Sequence, residues 1–140
     1  MTDKIIITGL RPLQAALKEL PGKWPRELRI ASKDAATIIG EGTKAAFAAG
    51  PGSSVLAAAS VKVLAGQRDA SIRIGGNDRG GRVALGNEFG SIRFKQFPAW
   101  RGVGADAGYA LYPTIRAKRA EVVEAYGAAL DRLLHDAFPD

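Results

Sequence analysis

From Pro25 to Ala49 the chain repeats small and apolar residues at three- and four-residue steps. Leu28, Ala31, Ala35, Ile38, Ile39, Gly42, Ala45 and Ala46 form one stripe, while Arg26, Arg29, Lys33 and Lys44 fall elsewhere. That period predicts a helix, with Pro25 in a first turn that needs no N–H from it. The stripe is rich in alanine and glycine, so whatever packs there can approach closely. Gly50-Pro51-Gly52 predicts its end, because glycine accepts a left-handed cap and proline cannot extend the hydrogen-bond ladder. Upstream, Ile5-Ile6-Ile7-Thr8 reads as an edge strand or an arm. Leu13, Ala16, Leu17 and Leu20 predict a short first helix stopped by Pro21-Gly22.

The middle of the chain changes period. Val55, Leu56, Ala59 and Val63 fit a helix, whereas Ser60-Val-Lys-Val-Leu64 alternates as a strand does. Ser71-Ile-Arg-Ile74 alternates cleanly, the glycine-rich segment from Gly75 to Gly81 reads as a hairpin tip, and Arg82-Val-Ala-Leu85 reads as the next strand. Such short connections imply an antiparallel meander. Residues 92–108 have no regular period, and an irregular connection of that length is usually functional or mobile. From Pro113, Ile115, Val122, Tyr126, Ala129, Leu133 and Ala137 form a last helical stripe running to residue 138, stopped by Pro139. The expected fold is α+β in a single domain: helices over 10–50, a small antiparallel sheet of three to four strands over about 59–90, a long loop over 92–108, and a C-terminal helix over 113–138 packed on the sheet.

Composition narrows the class. At 140 residues the chain can bury a core without a staple, and it has no cysteine for a disulfide framework or a thiolate metal site. The N-terminal apolar run is too short for a signal peptide, and no stretch approaches the roughly 20 apolar residues of a membrane span. A soluble protein made in a reducing cytoplasm is expected. The net charge is +6, unevenly spread. Residues 1–50 carry eight cations against five carboxylates, residues 51–102 eight against three, and residues 103–140 four against six. A basic middle favours an anionic partner, either nucleic acid or the acidic face of a neighbouring subunit.

Reactive groups are sparse. His135 is the sole histidine and reads as an ordinary exposed helix residue; a zinc site needs several such ligands. No pair of carboxylates has a spacing specific to acid–base work. Ser53 and Ser54 lack a nucleophile-elbow context. Gly102-Val-Gly104 matches part of a dinucleotide fingerprint but follows no predicted strand, and Gly75 to Gly81 lacks the lysine of a phosphate loop. No catalytic, metal or cofactor site is expected, and no small-molecule substrate.

Three short motifs stand in a telling order: Ser53-Ser-Val-Leu56 with Ser60-Val61, then Glu88-Phe-Gly-Ser91, then Ala110-Leu-Tyr-Pro113 opening the last helix. In that order, behind a helical first half, the chain from Leu13 to Leu134 resembles the tail-completion or head-tail joining proteins of long-tailed bacteriophages. The resemblance favours a short helical or extended lead and a strand from about Ala59. It implies a structural virion component of the neck, assembling as a homo-oligomeric ring, a hexamer by that resemblance, that connects the tail tube or tail terminator to the head-completion and portal complex. Genomic double-stranded DNA passes through such a ring, and any contact with it is sequence-independent and salt-sensitive. The chain departs from the family pattern at Ser53-Ser54, where Thr-Gly is common, at Tyr112, where an arginine is common, and in its longer 92–108 loop.

That loop interleaves Arg93, Lys95 and Arg101 with Phe94, Phe97 and Trp100. The same pattern serves stacking platforms for nucleic acid and anchors for protein interfaces. An interface is the preferred reading, with a small basic nucleic-acid-binding protein as the rival. Glu88-Phe89-Gly90 also has two readings. Either Phe89 is core, Gly90 turns the backbone and Glu88 is a solvated charge, or Glu88 pairs with Arg116 or Arg119 of a neighbouring subunit. The candidate interface residues are Glu88, Phe89, Arg93, Phe97, Trp100, Arg101 and Arg116.

Overall fold

The computed structural model describes residues 2–7, 24–65 and 69–137. The short helix expected over 13–20 and the terminus after Ala137 lie outside the described residues. The elements are β1 (Thr2–Ile7), α1 (Trp24–Ala49), α2 (Ser54–Ala57), a 3-10 turn (Ala58–Ser60), β2 (Lys62–Ala65), β3 (Ala70–Gly75), α3 (Arg79–Phe89) and α4 (Leu111–Ala137). The architecture is α+β.

Strand β3 is central. It pairs antiparallel with β1, Thr2 opposite Gly75 through Ile7 opposite Ala70, and with β2, Lys62 opposite Arg73 through Ala65 opposite Ala70. Strict alternation puts Ala70, Ile72 and Ile74 on one face, where each is at most 1 % exposed, and leaves Arg73 exposed on the other. The buried face meets Ala36, Ile39 and Phe47 of α1, Ala84 of α3, and Ala110 and Leu111 at the head of α4.

Helix α1 is the spine of the fold. Ala36, Ile39 and Phe47 face the sheet, whereas Ala45 of the expected stripe is exposed; at the other end Leu28 and Ala35 form a second cluster with Tyr126 of α4, flanked by Val122, Leu130 and Leu133. The small residues of the stripe have a specific use at Gly42, where a Cβ would lie 2.6 Å from the Cγ2 methyl of Thr114. Glycine there lets the first turns of α4 sit against α1. The end of α1 is closed by two donors to the carbonyl of Phe47, the Gly50 N–H at 3.1 Å and Ser54 Oγ at 2.7 Å, where Pro51 has no N–H to give.

Two expectations are corrected. Arg82–Leu85 is not a strand but the middle of α3. Asp78 caps that helix, accepting from the N–H of Gly81 at 2.7 Å, and Ala84, Asn87 and Glu88 then fall on a buried face. Gly80, Gly81 and Gly86 are poor helix formers, but the cap and the burial outweigh their propensity. Part of the supposed hairpin tip is therefore the first turn of a helix. The apolar run near the N-terminus, not Arg82–Leu85, provides the strand on the far side of β3.

The second correction concerns the C-terminal helix, which packs along α1 and not on the sheet; only its first turns reach the main core. The sheet is already covered by α1, so the stripe of α4 finds its apolar surface on that helix instead. The ambiguous segment after Ser53 is helical at first, then extended from Lys62. Ser60 marks the switch, donating to the Ala57 carbonyl at 2.7 Å and accepting from the Gly75 N–H at 3.3 Å.

Candidate interaction surface

Helix α4 begins at Leu111 behind Gly108-Tyr109-Ala110, a sequence with no serine, threonine, asparagine or aspartate to cap it. Its first amides need an acceptor from elsewhere. Glu88, in the last turn of α3, provides it. Its Oε2 accepts from the N–H groups of Ala110 at 2.9 Å and Leu111 at 2.7 Å, and its Oε1 accepts from Tyr112 at 2.9 Å. The carboxyl is 0 % exposed. Burial pushes its pKa above the ordinary carboxylate value, opposed by the three backbone N–H groups and by the charge of Arg116.

This geometry replaces both readings of Glu88. It is neither a solvated strand-end charge nor a partner for an arginine of another subunit, since both oxygens are engaged within its own chain. Arg116 and Arg119 are both exposed, and Arg116 donates to the Ala107 carbonyl at 2.8 Å. Gly108 is held at φ 85° beside Glu88, where a Cβ would run into Oε1. A side chain there would displace the carboxylate from the helix end.

The connection between α3 and α4 is irregular but extensively bonded. Its backbone is tied by Ser91 N–H to the Pro98 carbonyl at 2.9 Å, Arg101 N–H to Phe89 at 2.6 Å, and Gly108 N–H to Arg101 at 2.7 Å. Ser91 Oγ accepts from Arg93 and Phe94 at 3.1 and 2.9 Å, and Tyr109 donates its hydroxyl proton to the Ala99 carbonyl at 2.7 Å. Side chains reinforce these ties. Phe89 is half-buried between Tyr112, 5.5 Å away by ring centroids, and Trp100, at 6.5 Å. The Arg101 guanidinium sits 4.3 Å over the Tyr109 ring, Arg93 5.3 Å from that of Phe94, and Phe97 lies against Gly86 of α3.

The predicted residues thus divide by role. Glu88, Phe89 and Phe97 hold the junction together, Arg116 is exposed but donates to the Ala107 carbonyl, and Arg93, Trp100 and Arg101 are exposed on the loop. Beside those three the loop presents Ile92 at 88 % exposure, Val103 at 77 % and Phe94 at 49 %. Large apolar groups concentrated on one short segment, with cations between them, are a composition suited to a partner surface. Reasoning from sequence missed Ser91, Tyr109 and Tyr112 as scaffold; the uncapped start of the last helix was the available signal.

Gly102 and Gly104 lie inside this loop, with no strand leading into them. His135 is exposed in the last turn of α4. Among the described residues no group of His, Asp or Glu side chains is arranged to hold a metal ion, and no helix is long and apolar enough to cross a membrane. No protein-family model, curated protein or solved structure matches this chain.

Proposed function

We propose that this protein is a structural component of a bacteriophage neck, a tail-completion or head-tail joining ring subunit that works through contact surfaces. The observation that carries the reading is the α3–α4 loop. Its backbone is bonded at Ser91, Arg101 and Gly108, its root is fixed by Glu88, and its outward side presents Ile92, Phe94, Trp100 and Val103 among arginines. A surface that is ordered before it meets a partner loses little conformational entropy on docking, as repeated assembly requires. The order of the Glu-Phe-Gly-Ser and Ala-Leu-Tyr-Pro motifs supports the same reading. The placement of the C-terminal helix does not add to it, so the loop and the motifs carry it.

In this reading copies of the chain close into a ring, a hexamer by the resemblance, between the tail tube or terminator and the portal side of the neck, with DNA passing through. Light scattering on the purified chain tests it: assembly into a closed oligomer is expected, with Trp100→Ala giving a folded monomer. An oligomer of unchanged size in Trp100→Ala removes the loop from the assembly surface. A chain that remains monomeric at all concentrations, alone and with tail-tube protein, removes the ring.

A further inference from the structure

At the end remote from the loop, helices α1 and α4 leave a groove of about 160 Å³ between them. Its apolar lining is Ile30, Ala31, Ala129 and Leu133, and its charged lining is Glu27, Asp34, Asp136 and Arg132. Each helix contributes residues at steps of three, one and three, so one side of each borders the opening. The groove is open to solvent: Ile30 is 43 % exposed, and the four charged residues are exposed as well. Three carboxylates against one guanidinium make it acidic. None of the four is in an ion pair among the described residues, where the pairs are Lys44 with Glu41 and Lys118 with Glu121. Such a site selects an occupant that is apolar at its centre and cationic at its sides.

The chain presents such a segment itself. Phe94, 49 % exposed, stands between Arg93 and Lys95, and residues 91–104 hold no carboxylate. The Arg93 guanidinium lies 5.3 Å from the Phe94 ring, and Ser91 Oγ accepts from the N–H groups of both residues, so ring and cation are set before docking. A cavity of about 150 Å³ with aliphatic walls holds one benzene ring, which matches this groove to one phenyl group. The segment cannot reach the groove of its own copy. Ser91 and Phe97 hold it beside α3, and the groove begins roughly 27 Å along the axis of α4, the span from Leu111 to Ala129.

We propose that the Arg93-Phe94-Lys95 segment of one copy docks in the α1–α4 groove of the next. The proposal rests on the reading of the loop as an assembly surface and names the surface it meets. Segment and groove are different patches, so the contact is heterologous: each copy gives a loop and receives one, which builds a ring where the rotation closes and a filament where it does not.

The test is sedimentation velocity over a concentration series on the full-length chain, after circular dichroism has shown each variant to be folded. Phe94→Ala is expected to weaken self-association about 30-fold, the effect of losing an interface anchor. Asp34→Lys with Asp136→Lys, and separately Arg93→Glu with Lys95→Glu, are each expected to weaken it about tenfold or more by setting like charges face to face. All four changes in one chain should restore it. Mixing the Phe94→Ala chain with the Asp34→Lys, Asp136→Lys chain leaves one working loop and one working groove, so a dimer that grows no further is expected. The proposal is overturned if the groove variants assemble like the parent, or if the fourfold variant is no better than either pair. It is overturned too if the groove substitutions lower the melting temperature and leave assembly unchanged, which would make the groove part of the chain's own packing. If Trp100→Ala is monomeric while the groove variants assemble, the loop stands as an assembly surface and the groove alone falls. A parent chain that is monomeric at every concentration removes the groove contact, and removes the ring only if it also fails to assemble with tail-tube protein.

Discussion

Glu88 Oε2 accepts a 2.7 Å hydrogen bond from the backbone N–H of Leu111, so the last turn of one helix caps the first turn of the next across a loop of some twenty residues. A carboxylate at a helix N-terminus is favoured by the aligned peptide dipoles as well as by its hydrogen bonds. Glu88→Gln keeps the shape but turns one acceptor into a donor facing an N–H. Chemical denaturation at neutral pH is expected to show a loss of about 1–3 kcal/mol, the usual consequence of leaving a buried donor unpaired. A variant as stable as the parent would mean that the cap contributes nothing to the fold.

The same residue sets a pH dependence. Burial raises the folded-state pKa of Glu88 above its ordinary 4.5. As pH rises through that value, the unfolded chain gives up the proton first and the folded chain retains it. The contribution of Glu88 to stability is therefore greatest below the ordinary pKa, and falls as pH rises to the folded pKa. The parent-minus-Glu88→Gln difference in unfolding free energy should decline over that window and then level off. An increase with pH would show that the backbone N–H groups outweigh burial.

Gly42 and Thr114 form a steric pair. Gly42→Ala places a methyl 2.6 Å from Thr114 Cγ2 and is expected to cost about 1–3 kcal/mol, the typical effect of overpacking. Thr114→Ser removes the opposing methyl and should restore most of that loss. Thermal melts of the two single variants and the double variant measure it, and additive losses would rule out the contact.

Between the far ends of α1 and α4 the buried hydroxyls of Ser32 and Tyr126 have no hydrogen-bond partner of good geometry, yet they face one another, and Ser32 counteracts the upward push of burial on the Tyr126 pKa. Both hydroxyls are already unpaired, so Tyr126→Phe, which deletes one of them and keeps the ring, is expected to be neutral or to stabilise by about 1 kcal/mol, and Ser32→Ala likewise. A double-mutant cycle with no coupling would show that the two do not interact.

The local devices were legible where a residue type has one physical use. Pro25 and Gly50-Pro51-Gly52 bracket α1 as its ends require, and Ser71-Ile-Arg-Ile74 lies in β3 as alternation predicts. The small-residue stripe on α1 does admit a close neighbour, at Gly42. Asp78 was the overlooked sign: read as part of a hairpin tip, it is an N-cap, and with it Arg82–Leu85 becomes helix. The exposed members of the loop, Arg93, Trp100 and Arg101, were recognisable by composition, but Glu88 was not recognisable as a cap, because its three donors lie more than twenty residues away.

Taken by itself, the sequence determined the helical periods of α1 and α4, the alternation of β3, the basic middle and the aromatic loop, since each depends on neighbours within a few residues. Only the tertiary structure decided that α4 would lie on α1, that Glu88 would close its open end, and that β3 would sit between β1 and β2. Those outcomes depend on which apolar face is already covered, which amides lack a local acceptor and how strands are registered, all properties of segments far apart along the chain.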